Sequence, residues 1–104
     1  MSDEEQIEAY NAAFARTLKR MREEAGLSMN RLAENAGLSQ PMIGLFERGI
    51  HSPTVETLFR LARALNTDAA SFLAEATKEA VRAKPKIEGK AVKKPAVKKR
   101  PKPL

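Results

Sequence analysis

Apolar residues recur at steps of three and four along most of the chain, and that spacing predicts a succession of helices. Ile7, Tyr10, Phe14, Leu18 and Met21 mark one buried stripe on a long first helix, read from about Glu4 to Ala25. The acids between Ser2 and Glu5 suit its positive N-terminal end, and Gly26 ends it. Leu27 anchors the crossing into the next helix. The stretch from Ser28 to Gly49, SMNRLAENAGLSQPMIGLFERG, then holds two short amphipathic segments. Leu32, Ala33 and Ala36 line the first, and Ile43 and Phe46 the second. Ser28 and Ser39 stand where a hydroxyl would accept a bond from first-turn amides that otherwise lack a partner. Gly37 sits at the sharp turn between the segments, a place that favours left-handed backbone.

Thr54 caps a fourth helix that presents Val55, Leu58, Leu61, Ala62 and Leu65 on one face, with Arg60 and Arg63 outside. Thr67 or Asp68 starts a fifth, alanine-rich helix that carries Phe72, Leu73 and Ala76 and fades near Val81. No stretch alternates with the period of two that marks a half-buried strand. The expected fold is all-α, with five helices. The Ser28–Gly49 spacing is that of a helix-turn-helix, a device for laying a helix in a DNA groove.

Charge divides the chain in two. Its 104 residues carry a net charge of +6. Residues 1–81 hold nine Lys and Arg against twelve Asp and Glu, whereas residues 82–104 hold ten against the single acid Glu88. The basic character belongs to a tail, and the folded part is mildly acidic. From Pro85 the composition turns to Lys, Pro, Ala and Val, with a short repeat, AVKKP at Ala91–Pro95 and AVKKRP at Ala96–Pro101. Prolines oppose a stable helix and lysines repel one another, so this segment is expected to be extended and disordered.

No apolar run is long enough to cross a bilayer, and the acidic N-terminus shows no secretory signal pattern. Without cysteine there is no disulfide framework or thiolate metal site, and a cytoplasmic, nucleoid-associated protein is the default expectation. No paired carboxylates, nucleophile constellation or phosphate-cradling glycine loop stands out. The chain is read as no enzyme, with no cofactor.

The blocks Leu18-Lys19-Arg20-Met21-Arg22, Leu27-Ser28, Leu32-Ala33, Gly37-Leu38-Ser39 and Phe46-Glu47-Arg48-Gly49 follow in order. Pro53-Thr54, Thr57-Leu58 and Leu61-Ala62-Arg63-Ala64-Leu65 complete a pattern that resembles the Cro/cI-type family of helix-turn-helix regulators, the lambda-repressor-like fold. The resemblance covers about half the chain. It divides the chain into an N-terminal extension of the first helix (1–17), the helix-turn-helix domain (18–73), the end of the fifth helix (74–83) and the Lys/Pro-rich tail (84–104). It implies a five-helix domain whose third helix enters the major groove, as a dimer on a two-fold operator. It also implies a pair between Arg22 and Glu47, each a lone charge beside an apolar stripe; the open alternative is two exposed charges that never meet.

With Leu38, Ile43 and Phe46 turned inward, the third helix exposes Gln40, Pro41, Gly44, Leu45 and Arg48. The family positions matching Gln40, Pro41, Gly44 and Leu45 face base edges. The Gln40 amide can pair bidentately with adenine, and Pro41 and Leu45 can pack against thymine methyl groups. Pro41 loses no helix bond in the first turn. Gly44 in mid-helix costs about 1 kcal/mol relative to alanine, which points to a close approach by DNA or another protein. Two departures stand out. The family supplies Ser, Asn, Lys or Arg where Gly44 and Leu45 stand, and a phosphate-fixing glutamine where this chain has Met29. Backbone amides behind Ser28 remain available to a phosphate.

The remaining DNA-contact candidates are Ser28, Asn30, Ser39, Arg48 and His51. Arg48 is the stronger phosphate candidate; its other reading is compensation of charge at a helix end. His51 alone is equally an ordinary loop residue. In the tail, Lys93, Lys94, Lys98, Lys99 and Arg100 are expected on phosphates, with a solvating role as the alternative. Dimer contacts fall to the fifth helix (Phe72, Leu73, Ala76) or to Ile7 and Tyr10 of the first. No ligand-sensing domain is visible, so regulation would come from protein concentration or a partner. Three functions remain open: a sequence-specific dimeric regulator on double-stranded DNA, a non-specific architectural DNA-binding protein, and a protein-bridging module using the Pro41–Leu45 surface.

Overall fold

A computed structural model describes residues 2–83, and the tail candidates Lys93, Lys94, Lys98, Lys99 and Arg100 lie outside them. The described residues form five helices and no strand: α1 (Asp3–Glu24), α2 (Met29–Ala36), α3 (Gln40–Glu47), α4 (Val55–Ala64) and α5 (Ala69–Ala83).

Each helix starts on a side-chain oxygen. Ser2, Ser28, Ser39 and Thr54 accept from the amides of Glu5, Arg31, Met42 and Thr57 at 3.0–3.3 Å. Asp68 accepts from the Ser71 amide at 2.7 Å, which places the start of α5 on the second of its two candidate caps. Ser2 and Glu5 complete a reciprocal capping box. At the other end of α2, Gly37 adopts φ +74°, and the Leu38 amide reaches back to the Ala33 carbonyl at 2.8 Å. That closure needs a residue without a Cβ penalty in left-handed backbone.

Leu18, Leu32, Ile43, Leu61 and Phe72 meet at the centre, one from each helix, and are fully buried. Phe14 stacks on Phe72 with ring centroids 5.0 Å apart, joining α1 to α5. Ion pairs flank this seam, Arg16 to Glu79 at 3.1 Å and Arg20 to Glu75 at 3.3 Å.

Two stripes end earlier than periodicity predicts. Ile7 and Tyr10 are exposed; Tyr10 lies at the edge of the core, lining a shallow groove with Leu58, Leu73 and Thr77, and Ile7 lies beyond it. The buried face of α1 is instead Ala13, Ala15, Thr17, Leu18 and Arg22. Val55, at the first position of α4, is 68% exposed, and only Leu61, Ala62 and Leu65 of its stripe are buried. On α5, Phe72 and Ala76 are core residues and only Leu73 of the expected dimer contacts is exposed, so the first two are spent inside the fold.

Candidate nucleic-acid interface

The helical hairpin sets α3 across the end of α2, held from below by Ile43 and Phe46. A polar clamp fixes it from the side. Arg22, near the C-terminus of α1, donates from Nε to Glu47 Oε2 at 2.6 Å and from Nη2 to Oε1 at 3.1 Å. Its Nη1 donates to the Leu27 carbonyl at 2.8 Å. One guanidinium therefore joins α1, the α1–α2 loop and the last turn of α3. Both side chains are nine-tenths buried, and the hydrogen bond to Glu47 raises the Arg22 pKa above its ordinary value although burial pulls the other way.

With one face so held, α3 turns Gln40, Pro41, Gly44, Leu45 and Arg48 outward along a single stripe. Gln40, Pro41 and Arg48 are exposed, whereas Gly44 and Leu45 are half-buried. Over Gly44 lies Met29, the first residue of α2. A Cβ added to Gly44 would stand 3.3 Å from the Met29 methyl carbon, so the thioether lies over the glycine and partly covers the stripe. Met29, Gln40, Pro41, Gly44 and Leu45 line one shallow groove of about 770 Å³, floored by the Arg22–Glu47 pair and rimmed by Lys19 and Arg48. The sequence gives no hint of this contact, since Met29 and Gly44 belong to different helices and meet only after α2 and α3 pack.

The other candidates lie around this groove. Ser28 and Ser39 are exposed caps whose hydroxyls accept from the Arg31 and Met42 amides. Asn30 is exposed, with its side-chain amide 3.4 Å from Glu34. Arg48 is the C-cap of α3, and its backbone closes on Gly44. His51 is exposed in the following loop, where its amide donates to the Leu45 carbonyl at 3.4 Å. Lys19, which sequence reasoning passed over, stands beside the groove; only its three-residue step to Arg22 signals that placement.

A helix-turn-helix family model matches residues 18–72. The chain belongs to the Cro/cI-type helix-turn-helix family. Among curated proteins it is similar to the HTH-type transcriptional regulator SutR of Escherichia coli K12, 46% identical over 57 residues that make up 55% of this chain and 32% of SutR. The chain spans about a third of the length of SutR and of the mycobacterial regulators it also matches. Among solved structures it resembles the clp gene regulator ClgR of Corynebacterium glutamicum, with a TM-score of 0.65 and 28% identity over 71% of this chain and 80% of that one. It also resembles the restriction-modification controller protein C.AhdI of Aeromonas hydrophila, with a TM-score of 0.57 and 30% identity over 59% of this chain and 92% of that one. No helix among the described residues is long and apolar enough to cross a membrane.

Proposed function

We propose that this protein is a DNA-binding transcriptional regulator that reads a specific sequence with α3 in the major groove. The observation that carries the reading is the outward stripe of α3, held rigidly by the Arg22–Glu47 clamp and set beside two helix N-termini whose amides suit phosphate. In this reading Gln40 pairs with a base edge, Arg48, Asn30 and His51 bind backbone, and Ser28 and Ser39 hold the amides in place. The regulators SutR, ClgR and C.AhdI support the class.

The protein acts as a homodimer in the nucleoid-bearing cytoplasm, with the basic segment 84–104 adding affinity without sequence choice. Exposed apolar residues offer two faces for the partner copy: Tyr10 with Leu73, and Val55 with Phe59. The folded part carries more acid than base, so the tail supplies the long-range attraction.

Selection from random duplexes followed by gel shift with random competitor tests the reading. Specific binding survives the competitor, and Gln40→Ala weakens it at one base position. Binding that random duplex removes completely would favour an architectural protein. A Gln40→Ala variant with every DNA affinity intact would favour the bridging module. Deleting residues 84–104 tests the tail: about six phosphate contacts lose about a thousandfold in affinity between 50 and 200 mM salt, and that slope flattens without them. Sedimentation at micromolar concentration reads the dimer.

A further inference from the structure

Most of the reading stripe has no hydrogen-bonding side chain. Of the residues that line the groove from α2 and α3, Met29, Pro41 and Leu45 are apolar and Gly44 has no side chain. The Met29 methyl carbon lies over Gly44, where an added Cβ would stand 3.3 Å away and the thioether would have to shift by a few tenths of an ångström. Gly44 in mid-helix forgoes the helix propensity of alanine and receives this contact in return. Beneath the groove, Arg22 and Glu47 neutralise each other. At its rim Lys19 and Arg48 have no acidic partner among the described residues. An internally neutralised floor under apolar side chains, beside two cations, complements a base pair with its methyl group and its flanking phosphates.

We propose that Met29 is a specificity-determining residue: with Pro41 and Leu45, over Gly44, it forms a seat for the 5-methyl group of a pyrimidine in the major groove. This rests on α3 being the reading helix. The C5-methyl group is the one apolar feature that a base pair presents on its major-groove edge. Thymine and 5-methylcytosine both carry it. Met suits such a seat because its flexible, polarisable chain fills irregular apolar space.

The test starts from the duplex selected with the full-length protein. Each thymine is replaced singly by deoxyuridine, which removes the methyl group and keeps the pairing. At the same position, cytosine and 5-methylcytosine duplexes are then compared. The expected result is one thymine per half-site whose replacement weakens binding about three- to fivefold, the worth of one buried methyl group. 5-Methylcytosine recovers affinity over cytosine by a similar factor if the seat reads the methyl alone. Thymine sensitivity without that recovery would mean that the pair's polar edge is read as well, and would overturn the claim that the methyl group suffices.

Met29→Ala and Leu45→Ala are then measured on the thymine and deoxyuridine duplexes, with a thermal melt of each variant as the check on folding. In Met29→Ala the deoxyuridine penalty falls to less than half. A selective duplex with no deoxyuridine-sensitive position overturns this inference and leaves the regulator reading standing. A penalty undiminished in Met29→Ala but lost in Leu45→Ala removes Met29 from the seat. Failure to select any duplex overturns both readings together.

Discussion

Truncation of Arg22 to alanine is expected to be among the most damaging single changes in the domain. The guanidinium makes three hydrogen bonds, at 2.6, 3.1 and 2.8 Å, to Glu47 and to the Leu27 carbonyl. The Arg22 and Glu47 side chains are only 10% and 6% exposed. Removing the guanidinium leaves a buried carboxylate without its cation and a loop carbonyl without its donor. Breaking a buried pair from one side costs about 3–5 kcal/mol. A domain of about eighty residues has about 4–12 kcal/mol in total, so the variant sits near the edge of stability. At about 4–8 °C per kcal/mol, its melting temperature drops by on the order of 20 °C, read by circular dichroism. The double change Arg22→Met with Glu47→Leu removes both charges and should recover part of the loss, because neither desolvated ion remains although the Leu27 carbonyl still lacks its donor. An Arg22→Ala melt within about 3 °C of the parent would refute the reasoning, and a double variant as damaged as the single one would show that packing and the Leu27 bond, rather than the unpaired charge, matter there.

Other expectations follow from single atoms. Thr17 Oγ1 is buried with no partner among the described residues, so Thr17→Val, which keeps the shape, should stabilise by about 1 kcal/mol in urea unfolding; a loss of stability would reveal a partner for the hydroxyl. Gly37→Ala places a methyl group 2.9 Å from Arg60 Nη1 on left-handed backbone and should cost about 1–2 kcal/mol, and an unmoved urea midpoint would contradict that backbone. Asp68 is held below the ordinary carboxylate range by its bond from the Ser71 amide. Its contribution to stability is therefore complete above the unfolded pKa of about 3.9 and is lost as pH falls through the lower folded value. Asp68→Asn keeps a capping oxygen that does not titrate, so its melting temperature should fall less steeply below about pH 4 than that of the parent; parallel acid limbs would rule the cap out as their source.

The features legible in the sequence are those encoded within a few residues. The caps at Ser28, Ser39 and Thr54, the glycine turn at Gly37 and the alternation of buried and exposed positions in α2 and α3 are local, and the five helices follow from them. The stripe of α1 misled at Ile7 and Tyr10 because periodicity names a face of a helix and says nothing of where its partner ends. Val55 failed for the same reason at the start of α4. The groove was half legible. Gln40, Pro41, Gly44, Leu45 and Arg48 share a face by spacing alone, but the thioether across Gly44 depends on how two helices pack.

The pairing of the first helix with the last has a kinetic consequence. Locally capped helices form fast, and helical domains of low contact order fold in microseconds to milliseconds. The Arg20–Glu75 and Arg16–Glu79 bonds span 55 and 63 residues, far more than those between neighbouring helices. Closing a loop of that length costs about 3–4 kcal/mol of chain entropy, concentrated in the docking of α5 on α1. The seam that this step forms is also the most extensive helix pairing among the described residues, so undocking α5 is a costly opening that exposes the common core. Amides at the buried positions of α5 should then exchange with solvent no earlier than those of α2 and α3, because parting Phe14 from Phe72 opens the core that all five helices share.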